Sequence, residues 1–294
     1  MDIDIPREWT QIDFNKLSGT LMVIGGTDVG KSTFARYLYS HLAGRGSKVA
    51  FIDGDPGQSN LGPPGTMTAA TEIDFDLAGN YNKKILQANR CWRSFVGAVT
   101  PSGHMLPVLT GCHRLMEAVR FHGAAAVVYD TCGLVDPIMG GHSLKLAKID
   151  LLRPEYVIAI QREDELGKLL QPLMRSRRTQ VIVLRPSSSV IRRSPDERQS
   201  HRAEKFRQYF SSSRTLSILW SEMAIFPYPR FILNRLLAFE DVNGYTLALG
   251  IIIGIDRVKK NLDILTPLEE DQNLNAIHLG DVRVDPVSFR DEAI

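Results

Sequence analysis

Residues 20–32 read TLMVIGGTDVGKS, and the fold follows from this stretch. The apolar run Thr20–Ile24 predicts a buried strand, and residues 25–32 match the pattern G-x-x-x-x-G-K-S. Residues 33–42, TFARYLYSHL, predict a helix. In the order strand, Gly-rich loop, helix, the loop's backbone N–H groups surround an anion, and the helix N-terminus adds positive potential. Residues 25–32 are called the phosphate loop below.

The phosphate loop predicts binding of a nucleoside triphosphate. In this pattern the lysine, Lys31, reaches the β- and γ-phosphates, and the hydroxyl of Ser32 is a ligand of Mg²⁺. We therefore expect ATP, or another nucleoside triphosphate, together with Mg²⁺. The residues expected to contact the nucleotide are Gly25, Gly26, Thr27, Asp28, Val29, Gly30, Lys31, Ser32 and Thr33.

Composition places the chain among cytoplasmic globular proteins. Its 294 residues are 44% hydrophobic and 23% charged, which suits one large domain or one domain with a small appendage. No stretch approaches the 18 apolar residues of a membrane span, and the acidic N-terminus lacks the pattern of a signal peptide. The three cysteines, at 91, 112 and 132, have no C-x-x-C spacing, which argues against a disulfide framework or a zinc site.

The charge of the chain is unevenly distributed. The formal net charge is only +2, yet residues 175–207 contain ten Lys and Arg against three Asp and Glu. A basic stretch is most often a solvated helix face. In a chain with a phosphate loop it also favours a polyanionic ligand, either the triphosphate or a nucleic acid.

The order of elements predicts an α/β fold. Apolar runs at Thr20–Ile24, Lys48–Asp53, Ala125–Asp130, Tyr156–Ile160 and Val181–Leu184 alternate with helical stretches at Ser32–Ala43, Gly111–Phe121, Leu144–Leu152 and Glu163–Arg175. Val- and Ile-rich strands alternating with helices predict a doubly wound, mostly parallel sheet of the P-loop NTPase class. Beyond residue 220 the short strand-like pieces predict a small β-rich unit. The expected domains are residues 1–220 and 221–294.

A second motif follows the second predicted strand. Residues 49–59 read VAFIDGDPGQS, so two carboxylates, Asp53 and Asp55, end a strand beside the phosphate loop. Such carboxylates can have different roles: one binds the metal or its waters, and the other acts as a general base that accepts a proton from an attacking hydroxyl. The alternative is that one aspartate only caps the following turn.

A third motif begins at Ser194. Residues 194–197, SPDE, form a capping box with Pro at the first helical position, which predicts a helix to about Phe210. Arg198 and Arg202 are four residues apart and share a face. An adjacent apolar stripe can pack on the core: Ala203, Phe206 and Phe210. The helix could act as a lid whose arginines grip phosphate oxygens, or it could be a solvated helix with an ordinary charged face.

With these motifs placed, the chain from about Trp9 to Pro286 resembles the polynucleotide 5′-hydroxyl kinases that are related to the pre-mRNA cleavage-complex kinase subunit and to archaeal RNA kinases. The phosphate loop alone is generic. The D-x-D-x-G-Q element at Asp53–Gln58, followed by the R-x-x-x-R element at Arg198–Arg202, is much more specific. Further matching segments are Gly62–Pro64, Phe95–His104, Asp130–Gly133, Asn234–Leu236 and Gly244–Gly250.

The resemblance implies ATP-dependent phosphorylation of the 5′-hydroxyl of single-stranded RNA or DNA, as in RNA processing. It implies that Asp55 is the general base and that Asp53 supports the metal site with Ser32. Lys31, Arg198 and Arg202 would act on the phosphates. Residues expected near the substrate are Gln58, Thr131 and Gly133, the last two in the family's clasp, and His104, whose Pro- and Gly-rich loop could equally be a plain surface loop.

Two features depart from the eukaryotic relatives. Their clasp usually ends in a tryptophan that stacks on the substrate, whereas this chain has Leu134. Stacking on an aromatic ring is worth roughly 1–3 kcal/mol per base. The large relatives also carry an N-terminal β-domain, whereas here only about 20 residues precede the loop strand. We therefore expect a stand-alone prokaryotic form.

Two other functions share the phosphate loop. The segment GTDVGKS at 26–32 is also similar to that of dethiobiotin synthetase and related small-molecule enzymes, although the D-x-D-x-G-Q and R-x-x-x-R elements speak against this. A third possibility is an ATP-binding assembly subunit without kinase turnover. The presence of Lys31, Asp55, Arg198 and Arg202 favours a competent enzyme.

Overall fold

The computed structural model describes residues 5–75, 90–268 and 274–294. The chain divides into two compact units. The first unit contains residues 1–55, 68–92 and 108–193, and the second unit contains residues 56–67, 93–107 and 194–294.

The first sheet carries the phosphate loop. Its strand order is β4-β3-β2-β5-β1-β6-β7. Strands β2, β5, β1, β6 and β7 pair in parallel, and β3 pairs with β2 in the antiparallel sense. The bounds are β1 (Gly19–Gly25), β2 (Val49–Gly54), β3 (Thr66–Thr71), β4 (Cys91–Phe95), β5 (Ala126–Thr131), β6 (Tyr156–Ile160) and β7 (Gln180–Leu184).

The α-helices of the described residues precede β1 or come after individual strands along the chain. They are α1 (Arg7–Thr10), α2 (Lys31–Ala43), α3 (Met105–Phe121), α4 (Gly141–Leu152), α5 (Gly167–Ser176) and α6 (Pro195–Tyr209). Four consecutive residues of β1, from Leu21 to Ile24, are completely buried, as expected for a strand covered on both faces. Within the described ranges, no helix is long and apolar enough to cross a membrane.

The second sheet is almost entirely antiparallel and has the order β14-β13-β10-β11-β12-β8, with β9 parallel to β13. Its strands are β8 (Arg214–Leu219), β9 (Ala224–Phe226), β10 (Arg235–Glu240), β11 (Thr246–Asp256), β12 (Asn261–Thr266), β13 (Ala276–Val284) and β14 (Asp291–Ala293). Alternate residues of β10 belong to two different apolar clusters, Leu237 and Phe239 to one and Leu236 and Ala238 to the other. Both faces of this sheet are therefore packed.

The α/β class with a mostly parallel sheet and a β-rich C-terminal region is confirmed. The units divide the chain differently from the expected boundary at residue 220, because β8 pairs with β12 and because Phe206 and Phe210 of α6 pack in the second unit's core with Leu249. Residues 194–220 thus join the second unit. Strands β3 and β4 were not predicted from the sequence.

Candidate active site

The phosphate loop joins β1 to α2 in the first unit. Gly30 is the N-cap of α2 and has φ +88°, a left-handed conformation that glycine adopts without a steric penalty. Among the described residues, no side chain caps this helix end. The first-turn N–H groups of α2 therefore suit an anion, as the sequence pattern predicts.

Side chains around the loop hold its backbone. Lys31 is buried, and its ammonium donates to the carbonyl of Gly26 inside the loop. The guanidinium of Arg162, which follows β6, donates to the carbonyls of Thr27 and Asp28. The backbone N–H of Arg193 donates to the carboxylate of Asp28 at 3.1 Å. Arg162 and Arg193 are distant from the loop in sequence, so no local spacing pattern reveals these contacts.

The carboxylates lie at the C-terminal ends of neighbouring strands. Asp53 on β2 is directly opposite Asp130 on β5, and both residues are buried. The backbone N–H of Asp55 lies 3.4 Å from a carboxylate oxygen of Asp53. Burial first, and then the charge of Asp53, raises the pKa of Asp130 to about 7, against the opposing effects of Ser32 and Lys31. Asp130 therefore faces the phosphate loop, and the sequence had marked only its strand-end position.

This acidic strand end fits a Mg²⁺ ion that is shared with a nucleotide. Neither carboxylate oxygen of Asp130 has a well-formed hydrogen bond to a described residue. The described residues contain no cluster of three or more His, Cys, Asp or Glu with the geometry of a metal site. Mg²⁺ commonly takes one or two carboxylates and completes its shell with waters and phosphate oxygens. The hydroxyl oxygen of Ser32 and the carboxylate oxygens of Asp53 and Asp130 are suitable ligands for this ion.

The predicted clasp residues lie at the end of β5, where Thr131 is the last residue of the strand, and just beyond it, at Gly133. The Thr131 hydroxyl donates to the carbonyl of Val23 at 2.8 Å and accepts from the ammonium of Lys145 at 2.7 Å, so it lies in the interior. Gly133 lies against the phosphate loop: a Cβ atom at this position would be 2.7 Å from Thr27 Oγ1. Of these two residues, only Gly133 borders the loop directly.

In the second unit, helix α6 begins with the predicted capping box. The hydroxyl of Ser194 accepts from the N–H of Glu197, and the side chain of Glu197 accepts from the N–H of Ser194. Arg202 forms a two-pronged ion pair with Asp291 of β14, with both N–O distances at 2.9 Å. Only 15% of the Arg202 side chain and 5% of the Asp291 side chain are exposed. The structure thus gives Arg202 a partner that the sequence did not suggest.

The second unit also holds Gln58 and His104. The Gln58 amide donates to the backbone carbonyl of Arg198 at 3.5 Å, so the D-x-D-x-G-Q element reaches the start of α6. The two ring nitrogens of His104 lie 3.2 Å from the Ser102 carbonyl and 3.1 Å from the carboxylate of Asp281. His104 is therefore anchored to β13 as well as to its own loop.

The chain is similar to known proteins over most of its length. Residues 25–212 match the model of the family described as the mRNA cleavage and polyadenylation factor CLP1 P-loop. The polyribonucleotide 5′-hydroxyl-kinase of Pyrococcus furiosus is 27% identical and aligns over 92% of this chain and 88% of its own. The polyribonucleotide 5′-hydroxyl-kinase of Thermococcus kodakarensis is 36% identical over 70% of this chain and 55% of its own.

Solved structures show the same fold. The wild-type Clp1p–Pcf11p complex contains a chain that superposes with a TM-score of 0.69 at 15% identity, over 90% of this chain and 74% of that one. The family match covers the phosphate loop and also the two more specific motifs, the D-x-D-x-G-Q element at Asp53–Gln58 and the R-x-x-x-R element on α6. The chain therefore belongs to the CLP1 P-loop family.

Proposed function

We propose that this protein transfers the γ-phosphate of ATP to the 5′-hydroxyl of a single-stranded RNA end, in a Mg²⁺-dependent reaction. The observation that carries the proposal is the register of the first sheet, in which β5, between β1 and β2, brings Asp130 opposite Asp53 beside the phosphate loop. The names of the archaeal relatives support the choice of a 5′-hydroxyl as acceptor.

The first unit would hold the nucleotide. In the proposed complex, loop N–H groups bind phosphate oxygens, and Lys31 leaves the Gly26 carbonyl to bind the β- and γ-phosphates. Ser32, Asp53 and Asp130 would hold Mg²⁺, and a bound Mg²⁺ would supply charge neutralisation for phosphoryl transfer. Backbone atoms and fixed side chains suit this chemistry, because phosphoryl transfer depends mainly on positioning and on electrostatic stabilisation.

Asp55 is the proposed general base. It follows the last residue of β2, is half-buried, and is separated from Asp53 by one residue. A carboxylate at this point can accept the proton of an attacking 5′-hydroxyl while Asp53 remains available for the metal.

The remaining predicted residues are proposed to act on the phosphates and on the substrate. Arg198 and Arg202 are the proposed phosphate-binding arginines, and this role requires Arg202 to leave Asp291. Gln58, His104 and the clasp residues Thr131 and Gly133 are proposed to lie near the polynucleotide end. No disulfide joins the three cysteines, all of which are described by the structure, and this supports the proposal of a reducing, cytoplasmic setting.

Transfer of labelled γ-phosphate to 5′-hydroxyl RNA and DNA oligonucleotides tests the proposal. We expect label on RNA with ATP and Mg²⁺, and none after chelation of the metal. Asp55→Asn should reduce kcat at least 100-fold while ATP still binds, because general base catalysis typically contributes about 10²–10⁴-fold. Asp150→Asn is the matched control, since Asp150 forms an exposed ion pair with Arg178.

The outcomes separate the competing functions. Full activity of Asp55→Asn would show that Asp55 is not the general base. Tight ATP binding without label on either polymer would refute the kinase and favour a non-catalytic assembly subunit. ATP-dependent reaction with a small carboxylate-bearing amine, and none with oligonucleotides, would favour an enzyme similar to dethiobiotin synthetase. The ratio of the RNA and DNA rates tests the preference for RNA.

A further inference from the structure

Helix α4 buries two lysines completely. Lys145 and Lys148 both have 0% exposure, although lysine is rarely buried in full. Withdrawing an ammonium group from water is costly unless a partner compensates for the lost hydration. Neither lysine belongs to the phosphate loop or to the acidic strand ends, so the proposed function leaves both unexplained.

The ammonium of Lys145 makes specific contacts with the segment after β5. It donates to the Thr131 hydroxyl at 2.7 Å and to the backbone carbonyl of Cys132. It also lies 3.6 Å from the Cys132 sulfur. The Thr131 hydroxyl in turn donates to the carbonyl of Val23 on β1. Lys145 therefore connects α4 to the backbone that links β5 to Gly133.

That segment borders the phosphate loop. Gly133 approaches Thr27 so closely that a Cβ atom would lie 2.7 Å from Thr27 Oγ1 and 2.9 Å from Thr27 Cα. Real Cβ atoms do not approach other atoms this closely, so the position of residues 131–133 restricts the position of the loop backbone. A shift of the segment would be transmitted to the loop by direct contact.

Lys148 is a natural comparison within the same helix. Its ammonium is buried 5.0 Å from the centre of the Tyr129 ring and has no hydrogen bond to a described residue. It lies three residues after Lys145 on α4, and its ammonium faces the Tyr129 ring. The two lysines thus have similar burial and different contacts.

The buried charge of Lys145 indicates that this side chain does more than fill space in the core. The pKa of Lys145 is lowered to about 8, chiefly by burial; Cys132 and Asp55 oppose this shift, and the charges of Lys148 and Lys31 add to it. A side chain used only to fill space could be apolar here, because well-packed hydrophobic residues often replace buried charges without loss of stability.

We propose that Lys145 is a positioning residue for the phosphate loop: it holds the Thr131–Gly133 segment in the place from which Gly133 fixes the loop around the triphosphate. This inference rests on the proposed function, in that residues 25–32 are taken to bind the phosphates of ATP. Lys145 itself acts through the backbone and through Thr131, and it need not touch the nucleotide.

The test compares Lys145→Met with Lys148→Met, two substitutions that remove a buried ammonium and preserve most of the side-chain volume. The measurements are the Kd of a fluorescent ATP analogue, kcat and KM for transfer, and Tm. We expect Lys145→Met to weaken nucleotide binding at least 10-fold while Tm is unchanged or higher. Lys148→Met should keep the wild-type Kd within about twofold. A residue with a merely structural role would lose binding only together with Tm.

Thr131→Val provides a second route to the same question, because it removes the hydroxyl that Lys145 binds and keeps the lysine. We expect weaker nucleotide binding, and a loss in the double variant that is clearly smaller than the sum of the two single losses, because both changes remove the Lys145–Thr131 hydrogen bond while only Lys145→Met also removes the contact with the Cys132 carbonyl. If Lys145→Met fails to fold, the Kd and Tm of Thr131→Val alone decide the question.

Three results would overturn the proposal: wild-type nucleotide binding by Lys145→Met, an equal loss in Lys148→Met, or additive losses in the double variant. The binding measurement does not depend on the phosphate acceptor. If the wild-type protein binds ATP and phosphorylates no 5′-hydroxyl end, the proposed function fails, and the comparison of Kd values still decides the role of Lys145.

Discussion

Asp53 and Asp130 bring two carboxylates into one buried position at the ends of β2 and β5. Two neighbouring carboxylates resist ionising together, and burial adds to the cost. Asp130 responds with a pKa raised to about 7 from the ordinary 3.8. A site of this kind is destabilised without a cation and is suited to receive one.

The first prediction concerns this raised pKa. The folded protein binds more protons at Asp130 than the unfolded chain between about pH 4 and 7, so the free energy of unfolding should fall as the pH rises through this window. Asp130→Asn should remove this dependence. In the absence of metal and nucleotide, the variant should be more stable than wild type at pH 8, by up to about 4 kcal/mol, and the difference should shrink toward pH 4.

Urea unfolding at pH 5 and pH 8, with a chelator present, measures this difference. Exposed Glu163 is a suitable control, and Glu163→Gln should follow the wild-type protein at both pH values. Equal stabilities of Asp130→Asn and wild type at pH 8 would mean that the Asp130 carboxylate bears no such penalty.

At the scale of elements, α6 combines a sequence-encoded start with a partner supplied by the fold. The capping box at Ser194 and Glu197 is local, so it could be predicted from four residues. The ion pair of Arg202 with Asp291 joins residues 89 positions apart. The pair lies in a nearly buried environment, where removal of one partner leaves the other charge uncompensated.

The second prediction separates the structural and catalytic roles of Arg202. Asp291→Ala and Arg202→Ala should each lower the free energy of unfolding by about 3 kcal/mol, because each leaves a poorly hydrated charge. The double variant should lose much less than the sum of the two single losses. Urea unfolding of all four proteins gives the coupling energy.

The exposed pair Arg207–Glu204 on the same helix is the matched control, and its coupling energy should be much smaller than that of Arg202–Asp291, because water screens the two charges. Transfer assays complete the comparison. If Arg202→Ala is fully folded under assay conditions and loses kcat, Arg202 also acts on the phosphates. If its activity is that of the wild-type protein, only Arg198 of the predicted pair remains a candidate.

For the whole molecule, the distribution of charge matters more than its total. The net charge of +2 conceals the basic residues 175–207. Arg192 and Arg193 lie within this stretch and are exposed. The backbone N–H of Arg193 also donates to the carboxylate of Asp28 in the phosphate loop. Exposed arginines beside a phosphate site suit the backbone of a polynucleotide.

The third prediction follows from this distribution. Replacing Arg192 and Arg193 by Gln should weaken binding of a single-stranded 5′-hydroxyl oligonucleotide and reduce the slope of log K against log salt concentration by about 1, because fewer counterions are released. Titrations between 50 and 200 mM salt, roughly the range over which such binding changes most, provide the slope. Replacing exposed Arg257 and Lys260 by Gln removes the same charge elsewhere and should leave the slope unchanged.

Most of the first sheet could be predicted because its signals are local and continuous. The observed β6 coincides with the expected run at Tyr156–Ile160, and α2 begins one residue before the expected Ser32. Strand β3, which reads TMTAAT, has weak hydrophobicity, and its pairing with β2 is what makes it a strand. The expected domain boundary at residue 220 likewise rested on a local change in the sequence pattern. The assignment of β8 to the second sheet depends instead on its pairing with β12, which is distant in sequence.

The sequence by itself determined the phosphate loop, its strand and helix, the strand-end carboxylates and the capped start of α6, because each depends on residues close together in the chain. Only the tertiary structure decided that Asp130 faces Asp53, that Arg202 pairs with Asp291, and that Lys145 connects α4 to the backbone beside the loop. These are contacts between distant segments. They arise from strand register and burial, which no local spacing of residues specifies.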